Sequence, residues 1–252
     1  MEFSFELLAL LSIVALFAGF IDAIAGGGGL LTIPALLFTG MSPVQAIATN
    51  KLQACFGSFT ATRYFIKQKL VFPKQKIGGI VAASLGAILG AIAIQLFDSN
   101  LLITLLPFAL IFIAVYLVFA KNFGQSAEKP KLDEKKFNTS FIAGIGFYDG
   151  FFGPGTGTFF TLSYCKMRAL NLIQATAHAK LMNFTTNIIS LIIFILSDQI
   201  LWQVGLVMAL GQIIGARIGA ATAIKQGTDF IRHMTVAVCI MMSISLLLKS
   251  AG

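Results

Sequence analysis

Charge is what this chain most lacks. Only 11% of its 252 residues are charged, while 57% are hydrophobic. Soluble domains carry about a quarter charged residues, because their surfaces must be covered with polar groups that are missing here. The few charges are also segregated: between Ile77 and Ala120 there is only Asp98, and between Asp149 and Lys166 there is none. Uncharged runs of about 20 residues are what a hydrocarbon core about 30 Å thick requires. A water-soluble globule is excluded, and a lipid bilayer is the expected partner.

Cysteine is also scarce. Cys55, Cys165 and Cys239 lie in apolar surroundings without C-x-x-C spacing, which excludes a disulfide framework or a zinc site and reads as small buried residues. Acidic residues number 10 against 18 basic ones, a formal charge of +8. The basic residues cluster in a few loops beside apolar segments, as the positive-inside bias predicts, so no nucleic-acid partner is expected. No strand precedes the glycine runs and no P-loop lysine follows them, so neither ATP nor any cofactor or metal is implied. Ala23-Ile24-Ala25 mimics a signal-peptidase site, but the leading charges, Glu2 and Glu6, are acidic where a signal would be basic, and the segment is expected to be retained.

What is present is a repeat. Gly19-Phe20-Ile21-Asp22-Ala23-Ile24-Ala25-Gly26-Gly27-Gly28 recurs as Gly146-Phe147-Tyr148-Asp149-Gly150-Phe151-Phe152-Gly153-Pro154-Gly155, 127 positions later. Gln45-Ala46, Ala48 and Lys51-Leu52 recur as Gln174-Ala175, Ala177 and Lys180-Leu181, and the Leu85–Ala91 stretch aligns with Leu210–Ala216. The chain therefore divides into a first transmembrane repeat over 1–120, a charged linker over 121–138, and a second repeat over 139–252. In each half an apolar segment (5–25, 139–152) runs into glycines. A short apolar piece (29–39, 156–165), a long helix (43–66, 171–197) and two more helices (77–96 and 101–119; 201–223 and 228–249) follow. Ser42-Pro43 offers an N-cap and a proline at the first helical position. Gly86-x-x-x-Gly90 and Gly211-x-x-x-Gly215-x-x-x-Gly219 offer small faces for close helix packing.

The loop carrying Arg63, Lys67, Lys69, Lys74 and Lys76 and the central linker are expected on the cytoplasmic side, and the turns at Asp98 and Asp198 outside. The first half then starts outside and the second inside. The fold expected is an all-α polytopic bundle of about 8–10 membrane segments, two repeats of inverted topology, each with a glycine-broken hairpin.

Few charges remain inside the membrane: Asp22, Lys51, Asp149, Lys180 and Arg217, with His178. Such residues are costly in lipid and face a cavity or a partner. Lys51 and Lys180 each lie about 13–15 Å along their helices, near the midplane and beyond the reach of snorkelling. Two midplane cations call for an anion. Either Asp22 and Asp149 neutralise them as structural ion pairs, or a substrate does so, or a substrate displaces one carboxylate. The runs Gly26–Gly29 and Gly153–Thr158 break the helix; irregular backbone at membrane depth either kinks a packed helix or lines a cavity. A helix starting after each break would turn free N–H groups of Gly27, Gly28, Gly155, Thr156 and Gly157 toward an anion, with hydroxyls from Thr156 and Thr158. Asn50, Gln53, Asn183 and Asn187 lie within a turn or two of the lysines, as anion ligands or as bridges between helices. His178 suits proton coupling or a hydrogen-bonded core role. Arg217 lies about six residues from its helix end, within snorkelling reach.

At these residues the chain resembles the TauE/SafE sulfite-exporter family. The resemblance rests on Gly19-Phe20-Ile21-Asp22 with Gly26-Gly27-Gly28-Gly29-Leu30-Leu31-Thr32-x-Pro34, on Asn50-Lys51-Leu52-Gln53, on His178-x-Lys180-Leu181-x-Asn183, and on the second glycine break. It covers nearly the whole chain and points to the YfcA-like branch. It implies a bacterial inner-membrane transporter, with sulfite and organosulfonates as typical family substrates. The expected function is a secondary transporter of a small anion, not an enzyme. Lys51, Lys180, Asn50, Asn183, His178 and the glycine-break amides would bind the anion, and Asp22 or Asp149 would couple a proton. Gln53, Asn187 and Arg217 are further candidates. A passive anion channel is the nearer rival, and an intramembrane enzyme using Cys165 or a serine with His178 the farther one. A homo-oligomer is left open.

Overall fold

The computed structural model describes residues 3–97 and 127–250, with 228, 229, 232 and the stretch from 234 onward as backbone only. The described residues are helical and contain no strand. α1 (Phe5–Ala25) stops at Gly26, whose φ of 83° is open to glycine at little cost. The ten-residue α2 (Gly29–Phe38) follows, about half the length needed to cross a bilayer. α3 (Pro43–Lys67) starts on the expected cap: Ser42 and Gln45 exchange side-chain and backbone hydrogen bonds as a capping box, with Pro43 in the first turn. α4 (Ile77–Gln95) completes the described part of the first half. The expected segment 101–119 lies outside the described residues.

The second half enters its helix earlier than the sequence suggested. Asp133 caps α5 (Glu134–Phe137), accepting from the Lys136 amide at 2.8 Å. A π turn (Asn138–Ile142) then carries the helix into α6 (Ala143–Phe151). Lys76 at the head of α4 donates to Glu134 at 2.9 Å and holds that carboxyl below its usual range. After the second break come α7 (Thr156–Arg168), α8 (Leu172–Leu196) and α9 (Trp202–Ser250). Gly227, at φ 79° and ψ −165°, divides α9 where the two expected segments 201–223 and 228–249 meet.

Four helical stretches among the described residues are long and apolar enough to span a membrane: α1, α4, α8 and Trp202–Gly227 of α9. Their outward faces are apolar. Ile77, Val81, Leu85 and Leu89 form an exposed stripe on α4, and Leu206, Leu210, Ile214 and Ile218 form its counterpart on α9. The largest fully buried side chains, by contrast, include Lys51 and Lys180. A protein with leucine outside and lysine inside is arranged for lipid.

The halves interlock. α1 packs along α9, and α6 packs along α4. A methyl group added at Gly86 or Gly90 would overlap the carbonyls of Ala143 and Phe147, and one at Gly215 or Gly219 those of Leu16 and Phe20. Leu16 and Phe20 stand 127 positions before Ala143 and Phe147, so Gly215 and Gly219 are the counterparts of Gly86 and Gly90. This moves the third repeat match by one turn, from Leu210–Ala216 to Ile214–Ala220. The exposed stripes follow the same shift, with Leu85 matching Ile214. Apolar burial gains little between helices already in lipid, so such close backbone approach is what joins these pairs.

Candidate functional site

Two glycine breaks meet inside the bundle. Gly26 lies so close to Gly157 and Thr158 that neither glycine has room for a methyl group. The Thr158 hydroxyl donates across this junction to the Ala25 carbonyl at 2.6 Å. Thr156 donates to the Gly153 carbonyl at 2.6 Å, so both hydroxyls expected to face an anion are spent on backbone.

Beside the junction is a cavity of about 20 Å³, room for about one water molecule. The breaks line it with Gly26, Gly28, Gly29, Gly153 and Gly157, and the long helices with Asn50, Lys51, Gln53, Asn183 and Asn187. Asp22, Asp149 and Gln212 complete its polar wall.

The charges are crossed between the halves. The Lys51 ammonium of α3 donates to Asp149 of α6 at 2.9 Å, with both side chains only 1% exposed. The Lys180 ammonium of α8 donates to Asp22 of α1 at 2.8 Å. The two pairs are alike in topology and unlike in support. Asp149 also accepts from the Thr186 hydroxyl and from the Asn183 amide at 3.4 Å. Among the described residues Asp22 accepts one further hydrogen bond, from the Gly28 N–H at 3.3 Å, and its side chain is 18% exposed. In repeat register Thr186 corresponds to Gly57 and Asn183 to Ala54, so α3 carries no side-chain donor at these two positions to brace Asp22 in the same way.

Lys51 faces the cavity directly. Lys180 stands one step behind, between Asp22 and Gly157, and reaches the cavity through its carboxylate partner. Each ammonium has three protons and one carboxylate partner among the described residues. Asn50 is braced through its carbonyl, which accepts from Thr32 at 2.5 Å and from the Gln53 amide at 2.6 Å.

Other expected residues lie elsewhere. His178 is half-buried, its Nδ1 2.8 Å from the Gln174 carbonyl and its ring against Tyr164, away from the cavity lining. The cause is helical geometry: two residues turn a side chain by about 200° relative to Lys180. Arg217 is exposed and stacks its guanidinium over Tyr64 at 4.2 Å. Gly27 and Gly155 belong to the breaks without lining the cavity. Cys55 and Cys165 are buried and free. Gln212 is the residue that sequence reasoning missed. It occupies the position of Ala83 in the first half, and its carbonyl oxygen fills the space left by Gly19 and Gly57. A long polar side chain within a stripe of small residues was the available signal, visible once the repeat is aligned one turn later.

Comparison with known proteins agrees with this architecture. The family described as "Sulfite exporter TauE/SafE" matches residues 11–246. The probable membrane transporter protein YfcA of Escherichia coli K12 is 45% identical over 248 residues, covering 98% of this chain and 91% of that protein. A probable membrane transporter protein of Haemophilus influenzae is 44% identical, covering 96% and 95% of the two chains. The probable membrane transporter protein ORF9 of a Sinorhizobium species is 40% identical, covering 98% and 94%. No solved structure matches. With its apolar spans and near full-length match, the chain is a multi-pass membrane protein of the sulfite exporter TauE/SafE family of membrane transporters.

Proposed function

We propose that the protein is a secondary transporter of a small anion, sulfur-containing oxyanions and organosulfonates being the first candidates, in a bacterial inner membrane. The observation that carries the proposal is the pair of crossed lysine–aspartate bridges around a polar cavity where two glycine breaks meet. Buried ion pairs are a poor way to stabilise a fold, and ionisable groups inside a membrane usually serve a transport path. Lys51 and the break amides receive the anion, and Lys180 joins them when Asp22 gives it up. The water-sized cavity is smaller than such an anion and supports alternating access over an open pore. The interlocked halves, read as inverted repeats, supply the two arrangements.

Charge suggests the coupling. Two lysines and two aspartates sum to zero, so an entering monoanion leaves one excess negative charge in a low-dielectric site. A proton taken up at Asp22 restores neutrality. Asp149, held by three donors, is the carboxylate that stays. The experiment is equilibrium binding of an anion panel (sulfite, sulfate, thiosulfate, sulfoacetate, carboxylates) to purified protein. At least one anion is expected to bind, with affinity falling at least ~10-fold in Lys51→Gln, since the ammonium supplies a charge-assisted hydrogen bond. Binding undiminished in that folded variant contradicts the site.

A further inference from the structure

The cavity also presents one group that negative charge cannot satisfy. Gln53 is fully buried and lines the cavity. Its amide nitrogen is committed to the Asn50 carbonyl at 2.6 Å. The single proton of the Thr32 hydroxyl has two acceptors within reach, that same oxygen at 2.5 Å and the Gly28 carbonyl at 3.2 Å, and the shorter contact assigns the Asn50 oxygen as the acceptor and with it the orientation of both amides. The Gln53 carbonyl oxygen is left as a buried acceptor with no hydrogen-bond partner among the described residues. A buried acceptor without a donor is costly. A bare oxyanion makes matters worse, because it brings only further acceptors against this oxygen.

We propose that Gln53 makes the site selective for monoanions that carry a hydrogen-bond donor of their own: oxyanions that retain one proton on oxygen. Such an anion turns its charged oxygens to Lys51 and its O–H to the Gln53 carbonyl. The same geometry discriminates against anions of equal charge and shape that have no proton to give. This inference rests on the anion-binding reading above and goes beyond it in naming the chemical class. The equivalent position in the second half is Met182, so the second half offers no matching acceptor there.

Matched pairs of monoanions test the idea on the purified full-length protein: hydrogencarbonate against nitrate, hydrogensulfite against chlorate, and dihydrogenphosphate against perchlorate. Each pair is compared at a pH where its first member is the monoanion, which keeps one proton in hydrogencarbonate and hydrogensulfite and two in dihydrogenphosphate, while the second member has none. For at least one pair the protonated member is expected to bind wild type at least ~10-fold tighter, since a site built to hydrogen-bond a hydroxyl rejects analogues lacking it. In Gln53→Met that ratio falls to near one. Equal wild-type affinities within every pair that binds overturn the inference while leaving the anion site standing. A ratio that persists in Gln53→Met also overturns it, by placing the acceptor elsewhere. If no member of any pair binds, this inference fails, and the anion reading stands or falls on the wider panel above. Should the methionine variant not fold, the wild-type ratios alone still decide.

Discussion

Asp22 and Asp149 hold equivalent positions in the two halves but differ in what surrounds them. Asp149 has three side-chain donors and is sealed from solvent, whereas Asp22 has a lysine and one backbone amide and is partly open. The difference originates in Thr186 and Asn183, which the first half replaces with Gly57 and Ala54. Asp149→Ala strands the buried Lys51 ammonium and should cost about 3–5 kcal/mol, the price of breaking a buried ion pair from one side. Chemical denaturation in detergent measures it. Adding Lys51→Met to that variant should recover much of the loss while leaving anion binding at least ~10-fold weaker than wild type, as in Lys51→Gln. A double variant as unstable as the single one would mean that Asp149 acts through its threonine and asparagine donors rather than through Lys51. These four charges were legible in the sequence, because an ionisable residue in an apolar run is conspicuous. Which aspartate meets which lysine was not, because that depends on how the halves interlock. Gln53, read as one of several polar neighbours of Lys51, shows its spare acceptor only once Thr32 and Asn50 are in place.

Among the elements, the glycines do two separate jobs. Those of the breaks bring backbone into the cavity and bring the two breaks together. Those of α4 and α9 let α6 and α1 approach until carbonyls rest on glycine Cα atoms. Gly215→Ala places a methyl group against the Leu16 carbonyl and should lower the melting temperature in detergent by several degrees, about 1–3 kcal/mol of overpacking. Gly144→Ala is the matched control: its site is open, and alanine is the better helix former by roughly 1 kcal/mol, so stability should hold or rise. Equal losses at both positions would contradict close packing as the link between the halves. Helix starts and stops were the most legible part of the fold, since Ser42-Pro43 and the glycine breaks are local signals. The start of α5 was less so, because Asp133 caps a helix inside a stretch whose charges read as linker. The one-turn error in aligning α4 with α9 arose because stripes of small residues repeat every four positions and fit themselves in more than one register. Seating Gly86 on Ala143 and Gly215 on Leu16 resolves it.

For the whole molecule, the arrangement is inside-out relative to a soluble protein, with apolar stripes facing lipid and a polar, ion-paired centre. Its centre is made equally by both halves, since each lysine is neutralised by the other half's aspartate. Any motion of one half against the other must therefore stretch or exchange these bridges, which ties the bound charge to the conformation. That is the central claim, and transport tests it most directly. The measurement is uptake of the anion that binds best into sealed proteoliposomes holding purified protein, with and without an imposed pH difference. Wild type should accumulate the anion when the pH difference is present, Lys51→Gln should not, and Asp22→Asn should equilibrate the anion without responding to the pH difference. Accumulation by Lys51→Gln at the wild-type rate, or an unchanged pH response in Asp22→Asn, would contradict the account.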